Sequence, residues 1–308
     1  MINRILIRIK IIQIIYSYYF NIKNDLSTVE KELFFSLGKA YELYNLLLLL
    51  PIEITNLQKR KLDAGKYKLL PTNKDLIPNT KFIDNKFVLQ LSENKQLKKN
   101  IANEKISWAN DADFVKRLLE TISTSDIYAD YMNSEDNSFD ADREFWRKIF
   151  KAFICNSEDL EQVLEDNSVY WNDDLEIVST FALKTIKRFN ENSGADENLL
   201  PMFKDDEDVR FAEELLHRTI LRQSEYNELI QKQAQNWEFE RIAFMDLIIM
   251  QTALAELTGF PTIPVKVTLN EYIEIAKYYS TEKSGTFING VLDGIVASLK
   301  KENKLLKN

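Results

Sequence analysis

Residues 264–293 read PVKVTLNEYIEIAKYYSTEKSGTFINGVLD and contain two helical patterns joined by a short polar connection. Thr268 and Glu271 fit a capping box, in which a hydroxyl and a carboxylate bond backbone amides at a helix start. Ser284 is predicted to cap the second helix. Beyond it, apolar residues recur every three or four positions and predict one buried face, namely Phe287, Ile288, Val291, Leu292, Ile295 and Leu299. The stretch therefore predicts two packed helices.

Two glycines lie inside the second of these helices, on the side opposite to its apolar face. Gly290 and Gly294 share that side with Asn289 and Asp293. Each interior glycine costs about 1 kcal/mol relative to alanine, so the pair needs a reason. Close approach of another backbone or of a ligand is one reason, and tight packing between helices is the other.

The composition predicts an almost entirely helical protein. Only 7 glycines and 6 prolines interrupt 308 residues, and long stretches repeat apolar residues at intervals of three and four. The single cysteine, Cys155, has no internal partner for a disulfide, which fits a reducing compartment. Within FKAFIC it occupies an apolar face, which favours a buried, inert thiol.

No segment predicts a membrane span. The isoleucine-rich start is interrupted by Arg4, Arg8 and Lys10, and residues 46–50 are five leucines, far fewer than the roughly 20 apolar residues that a span needs. No small-residue cleavage site follows the first apolar run, as a signal peptide would require. We therefore expect a cytoplasmic protein without a membrane partner.

Charge is distributed unevenly along the chain. Residues 53–105 contain 12 basic and 6 acidic side chains, a net of +6, whereas residues 107–200 contain 9 basic and 21 acidic side chains, a net of −12. Nucleic-acid binding responds to the local patch and not to the overall charge of −8. The basic segments can therefore contact RNA, although a solvated surface is the usual role of such a run.

The pattern predicts helices separated by one loop-rich segment at residues 55–105. The second predicted helix starts at Asp25 or Ser27 and stops at Pro51, because proline has no amide hydrogen. The other predicted helices cover residues 3–20, 111–131, 140–155, 157–165, 173–190, 206–223, 224–235, 239–257, 269–279 and 284–300.

An internal echo appears when the chain is offset by 66 residues. Five pairs then align, namely Phe145 with Phe211, Ile154 with Ile220, Leu160 with Tyr226, Val163 with Leu229, and Trp171 with Trp237. A partial duplication is one interpretation, and chance similarity between amphipathic helices is the other.

Two separated blocks of the chain resemble the NusB family of transcription antitermination factors. In the first block, Arg4, Arg8, Gln13 and Tyr16 match an arginine-rich start followed by glutamine and tyrosine. The second block, residues 206–299, carries PVKVTLNEYIEIAK and FINGVLD at the family's separation. The resemblance implies an all-α fold of helical bundles packed across each other. It divides the chain into residues 1–50, an insertion at 51–200, and residues 201–308.

The resemblance also implies a function. NusB-family members bind boxA-like single-stranded RNA together with the small-subunit ribosomal protein NusE, and the complex acts on RNA polymerase to suppress termination. Residue by residue, it assigns RNA binding to Arg4, Arg8, Tyr16, Lys283, Thr286 and Phe287. Arg4 and Arg8 lie one turn apart, so both could grip phosphates. The chain departs from the family at Ile5 and Leu6, commonly basic, and at Lys283, often acidic.

Nothing in the sequence predicts catalysis. There is no Walker motif, no dinucleotide fingerprint and no zinc spacing, so we expect no enzyme activity, no metal and no cofactor. The one histidine, His217, lies on an amphipathic helix and is expected to be structural. The alternative function is a helical scaffold that binds another protein and has kept the family's helices without RNA binding.

Overall fold

A computed structural model of the chain describes residues 1–20, 25–70, 72–234 and 241–305. In these ranges the regular structure is helical throughout, which confirms the all-α prediction. Besides a short 3-10 turn at Val169–Trp171, the α-helices are α1 Arg4–Phe20, α2 Leu26–Gly65, α3 Asn73–Leu76, α4 Lys86–Glu93, α5 Lys95–Glu104, α6 Ala112–Ser123, α7 Asp126–Asn133, α8 Phe139–Phe153, α9 Glu158–Asn167, α10 Leu175–Arg188, α11 Asp206–Leu221, α12 Gln223–Gln233, α13 Phe244–Gly259, α14 Val265–Tyr279 and α15 Ser284–Lys301.

The helices form two compact units. Unit 1 consists of Met1 and Gly38–Met202, and unit 2 consists of Ile2–Leu37 and Phe203–Asn308. Helix α2 contributes residues to both. The prediction that residues 51–200 were inserted into a NusB-like domain is a statement about ancestry, and it stays a prediction.

Unit 2 is built around α13. This helix is apolar on all sides, in the sequence FMDLIIMQTALAELTG, and such a helix must be surrounded by others. It packs against α1, α11, α12, α14 and α15. Most of its residues are buried, including the polar Asp246 and Glu256. Two carboxylates in the most apolar helix of the unit therefore need partners from the helices around it.

Unit 1 is built around α8, which packs against α4, α6, α7 and α10. Its core is aromatic: the rings of Phe82, Phe145 and Trp146 contact one another, and all three are buried. The buried Asp142 accepts hydrogen bonds from the hydroxyl of Tyr131 at 2.6 Å and from the backbone amide of Lys86 at 2.7 Å. Burial, and then this carboxylate, raise the pKa of Tyr131.

The predicted stop of the second helix at Pro51 is wrong, because α2 continues through this proline to Gly65. A proline inside a helix removes one hydrogen bond and costs about 3 kcal/mol. Burial of the surrounding residues, Leu46 to Leu50 and Ile54, offsets this cost. In addition, Nε1 of Trp108 donates to the carbonyl of Leu46 at 3.0 Å, in the turn that precedes the proline.

Helix α2 also passes a length and hydropathy test for a membrane span. Among the described helices it is the one that does, and 67% of its most apolar 18-residue window is buried inside the protein. This burial is the behaviour of a core helix.

The prediction of a loop-rich segment at residues 55–105 is also wrong in most of its length. The last turns of α2 and the helices α3, α4 and α5 occupy it. The side chain of Asn85 accepts a hydrogen bond from the amide of Val88, and that of Asn94 accepts one from the amide of Leu97. The asparagines that suggested a loop are therefore N-caps, a role for which asparagine is strongly preferred.

The internal echo has a counterpart in the order of the helices. Shifting α8 and α9 by 66 positions places them on α11 and α12 within two residues at each end. Helix α8 packs against α10, as α11 packs against α13. Trp237, the partner of Trp171 in the echo, lies outside the described residues. A duplication stays a prediction that superposition of the two segments would test.

The glycines of α15 have different surroundings. A Cβ atom at Gly294 would collide with the side chain of Gln233 on α12, so tight helix packing accounts for this glycine. A Cβ atom at Gly290 would meet nothing within 4 Å. Gly290 therefore leaves an open, flat place on the outer side of α15.

Candidate nucleic-acid interface

Arg8 of α1 lies in a buried ion pair with Glu256 of α13. Its Nε and Nη2 atoms donate to the two carboxylate oxygens at 2.7 and 2.9 Å, and its side chain is only 3% exposed. Burial, the largest influence, lowers the pKa of Arg8, but the bond to Glu256 and the charges of Tyr272, Glu256 and Glu271 together outweigh it, and the pKa is raised. The carboxylate also accepts from the hydroxyls of Thr268 at 2.8 Å and Tyr272 at 3.2 Å.

This arrangement corrects the interpretation of Thr268 and Glu271 as a capping box. Helix α14 begins at Val265, after Pro264, so both residues lie inside it. Thr268 is fully buried and its hydroxyl donates a hydrogen bond to Glu256. The carboxylate of Glu271 lies 3.5 Å from Nη1 of Arg8. The polar residues of this region stabilise a buried charge and do not start a helix.

Arg4, one turn before Arg8, lies beside the first turn of α11. Its Nε is 3.3 Å from Oδ1 of Asp208, and its Nη2 is 3.7 Å from Oε2 of Glu207. Its guanidinium carbon lies 5.0 Å from the centre of the Phe211 ring. The side chain is still 35% exposed, so part of it faces solvent.

An aromatic cluster surrounds Phe244, the first residue of α13. The rings of Tyr16, Tyr19 and Phe20 from α1 lie with their centres 5.5 to 5.7 Å from that of Phe244. Tyr16, Phe20 and Phe244 are all exposed, Phe20 to 67%. Three members of the cluster, Tyr19, Phe20 and Phe244, line an open depression of about 650 Å³ together with Tyr18 and Gln223. Here the structure presents several ring faces to solvent.

The connection between α14 and α15 is anchored to the same end of α13. Asp246, two residues after Phe244, accepts hydrogen bonds from the hydroxyls of Ser280 and of Ser284, the latter at 2.9 Å. The two serine oxygens lie 3.0 Å apart. Ser284 is thus the first residue of α15 and a buried partner of Asp246, and the prediction that it caps the helix is wrong.

Lys283, Thr286 and Phe287 lie on this anchored corner. Lys283 and Thr286 are exposed, and Phe287 is half-buried. No side chain caps the start of α15, whose first-turn amides and dipole favour an anion. The corner therefore combines a lysine, a hydroxyl and the positive end of an 18-residue helix.

The structure brings together four of the six predicted site residues. Phe244 and Asp246 both belong to the first turn of α13, so Tyr16 and the corner with Lys283, Thr286 and Phe287 lie at one end of this helix. Glu256, the partner of Arg8, comes ten residues after Asp246, about 15 Å along the axis. Arg8 is therefore near the other end, and Arg4 lies beyond it on α1.

Contact with RNA itself stays a prediction for all six residues. The geometry nevertheless separates them, because the nitrogens of Arg8 bond to carboxylates in the interior. We leave Arg8 out of the proposed contact surface and keep Arg4 at its edge.

Three exposed aromatic residues at this end of the unit were missed by sequence reasoning. Neither Phe20 nor Phe244 was singled out in the sequence, and nor was Tyr278, which is 73% exposed and precedes the anchored Ser280 by two residues. A signal for Phe20 did exist. The run YSYYF at residues 16–20 places four rings in five positions, and a helix cannot bury them all on one face.

The surroundings of His217 and Cys155, the two residues considered as catalytic groups, indicate structural roles. Nε2 of His217 lies 2.6 Å from Oε2 of Glu30, so the histidine pairs α11 with the start of α2. Cys155 in unit 1 is half-buried, and burial raises the pKa of its thiol, which disfavours the reactive thiolate.

Comparison with known proteins identifies the family. The NusB family profile matches residues 176–297. The chain is 40% identical over 131 residues to transcription antitermination protein NusB of Salinibacter ruber, covering 41% of this chain and 82% of that protein. It is 44% identical over 100 residues to the NusB of Koribacter versatilis, covering 32% and 68% of the two chains. The NusB of Natranaerobius thermophilus is 33% identical over 108 residues, covering 34% and 78%.

No solved structure matches the chain. The relatives are named transcription antitermination proteins, and the first of them is matched over most of its length. This chain belongs to the NusB family.

Proposed function

We propose that this protein is an RNA-binding transcription antitermination factor. It binds boxA-like single-stranded RNA together with the small-subunit ribosomal protein NusE, and it acts on RNA polymerase in the cytoplasm during ribosomal RNA transcription. The observation that carries the proposal is that exposed rings and a cationic corner both lie at the N-terminal end of α13.

The chemistry of this surface suits single-stranded RNA. Unpaired bases stack on aromatic side chains, and phosphates bind cations, hydroxyls and helix N-termini. Phe20, Phe244 and Tyr16 offer exposed ring faces. Lys283 and Thr286, at the start of α15, offer the phosphate contacts.

Membership of the family supports the proposal from a second direction. The matched relatives carry the name transcription antitermination protein. Four of the six residues that the resemblance assigned to RNA, namely Tyr16, Lys283, Thr286 and Phe287, lie around the N-terminal end of α13.

The test is RNA affinity measured by fluorescence anisotropy across a range of salt concentrations, with a boxA-like RNA, in the presence and absence of NusE. Lys283→Ala should make the log–log salt dependence shallower by about 0.7, the value for one phosphate contact on a single strand. Phe20→Ala should weaken binding about 5- to 150-fold, since stacking contributes about 1–3 kcal/mol per base.

Two control variants match these changes. Lys266→Ala removes an exposed lysine at the opposite end of α14, and Phe35→Ala removes an exposed phenylalanine of α2. Both should bind RNA as the parent does. If the parent has no RNA affinity even with NusE, the alternative of a helical protein scaffold is favoured.

A further inference from the structure

Some basic side chains of residues 53–105 bond to other residues of unit 1, and others are exposed. Three of them stabilise unit 1. Lys81 donates to the carbonyls of Ser134 and Asp136 at 2.6 and 2.8 Å, Lys86 donates to the carbonyl of Asn137 at 2.8 Å, and Lys95 pairs with Asp196 at 2.9 Å. These lysines are engaged within the fold, so the positive charge available to a ligand lies elsewhere in the segment.

The largest exposed group is at the end of α2 and just after it. It comprises Lys59, Arg60, Lys61, Lys66 and Lys68, all exposed. Lys61, Lys66 and Lys68 each have an acidic neighbour, namely Glu120 at 3.8 Å, Asp63 at 3.0 Å and Asp75 at 2.6 Å. Within the part of the chain that the structure describes, Lys59 and Arg60 form no ion pair.

Tyr67 stands in the middle of this group and is 88% exposed. Its position is set by a series of tight turns, in which the amides of Lys66, Tyr67 and Lys68 bond the carbonyls three residues earlier at 3.2 Å. The bond from Lys68 to Asp75, next to Gly65, adds a contact that holds the turn. The ring therefore projects from a held turn, between two lysines.

We propose that Lys59, Arg60 and Tyr67 form a second single-stranded RNA site, in unit 1. The choice of RNA rests on the proposed function, and the site extends it beyond the surface around α13. The charge of residues 59–70, five basic against one acidic, is complementary to a phosphate backbone. An exposed aromatic ring beside cations is the combination that holds single strands.

The spacing of these groups fits an extended strand. Arg60 lies five residues before Gly65, the last residue of α2, roughly 7.5 Å along the axis, and Tyr67 follows in the turn two residues later. One strand can therefore place a phosphate on Arg60 and Lys59 while a nearby base stacks on Tyr67.

Another pair of lysines in the same unit provides a matched control. Lys98 and Lys99 on α5 are also adjacent and exposed, but α5 carries no aromatic residue. If RNA binding depended only on net charge, removing either pair of cations would change the affinity equally. With a site at Lys59 and Arg60, the two changes would differ.

Leu69 and Leu70, which follow the turn, are also exposed. Exposed aliphatic residues are typical of protein contacts, so a protein partner is the competing occupant. The variant Leu69→Ser/Leu70→Ser separates the two, because it leaves the cations and the ring in place.

The test uses the full-length chain and a fluorescent single-stranded RNA that carries a boxA-like element with flanking nucleotides. Lys59→Ala/Arg60→Ala should make the salt dependence shallower by about 1.4, two phosphate contacts, while Lys98→Ala/Lys99→Ala should leave it close to that of the parent. Tyr67→Ala should weaken binding about fivefold at unchanged salt dependence, and Tyr67→Phe should restore it.

The proposal would be overturned if Lys59→Ala/Arg60→Ala and Lys98→Ala/Lys99→Ala had equal effects on RNA binding, or if Tyr67→Ala bound RNA as the parent does. So would weaker NusE binding by the Lys59/Arg60 and Leu69/Leu70 variants with RNA affinity intact, because the site would then bind protein. Lys283→Ala in the same assay separates the two proposals. If Lys283→Ala weakens RNA binding and Lys59→Ala/Arg60→Ala does not, the proposal of the second site fails and the proposed function stands. If the parent protein has no RNA affinity, both proposals fail.

Discussion

The two ends of α13 in unit 2 use similar residue types for opposite purposes. At one end, Arg8 and Tyr272 surround Glu256 and are buried with it. At the other end, Phe20, Phe244 and Lys283 face solvent. A cation or a ring in a helical pattern is therefore a ligand contact only where the surrounding helices leave it exposed, and a carboxylate on a neighbouring helix decides the outcome for an arginine.

The difference originates in the sequence of α13. Glu256 lies among apolar residues in IIMQTALAEL, and a carboxylate buried without a partner is very costly. Arg8 supplies the compensating charge, with hydroxyls completing the bonds. At the other end Asp246 accepts from two serine hydroxyls and, among the described residues, pairs with no cation, while Lys283, the residue before Ser284, is exposed.

The largest expected effect comes from removing the cation of the buried end. Arg8→Ala should lower the free energy of unfolding by about 3–5 kcal/mol, because the buried carboxylate of Glu256 would lose the guanidinium that donates to both of its oxygens. Urea unfolding followed by circular dichroism measures this loss. A change below about 1 kcal/mol would contradict the buried ion pair and return Arg8 to the list of surface residues.

A smaller effect is expected from the other buried carboxylate. Asp246→Ala should cost about 1–3 kcal/mol, since the hydroxyls of Ser280 and Ser284 lose their acceptor. It should also weaken RNA binding, because the corner with Lys283 loses its anchor. Asp293→Ala, on the exposed side of α15, is the control and should change stability by less than about 0.5 kcal/mol.

Alkaline pH should affect the buried end selectively. Burial, and then the charge of Glu256, raise the pKa of Tyr272 well above its ordinary value of 10. The folded state therefore keeps the phenol proton when the unfolded state has lost it. The stability that the neutral phenol contributes is complete below pH 10 and falls as the pH rises further.

The variant Tyr272→Phe isolates this contribution. Its free energy of unfolding should decline less above pH 10 than that of the parent, in urea titrations at matched pH values. Equal declines in both proteins would show that other groups, such as lysines, account for the alkaline loss.

The smallest effect is expected from Arg4. Arg4→Ala should change the free energy of unfolding by about 0–1 kcal/mol, because its ion pairs with Glu207 and Asp208 are partly solvated. Comparison with Arg8→Ala sharpens the contrast, as the two arginines are one turn apart on the same helix. A cost as large as that of Arg8→Ala would mean that α1 has no exposed cationic edge.

The sequence was sufficient for the fold class and for most helices, because amphipathic periodicity reports directly on burial. It failed where tertiary contacts override local preference. Pro51 did not end α2, since buried leucines surround it, and the asparagines of residues 55–105 proved to be caps such as Asn85 and Asn94. Whether an asparagine caps a helix or occupies a loop depends on the amide that lies beside it.

For the candidate site, sequence reasoning found the corner at Lys283 and Thr286 but not its surroundings. The partners Asp246 and Glu256 lie 38 and 248 residues from Ser284 and Arg8. No local pattern couples positions so far apart. One signal was available and was not used: two acidic residues in an otherwise apolar helix predict buried partners, and Arg8 was one of the cations available for that role.

The clamp of Asp246 on Ser280 and Ser284 has a consequence for how a ligand would be received. Because the bend between α14 and α15 is already fixed in the unbound protein, its backbone has little freedom left to surrender when a strand arrives. RNA binding at this corner should thus involve little rearrangement of the main chain. Selectivity between nucleotides would then depend on a surface whose shape is set during folding.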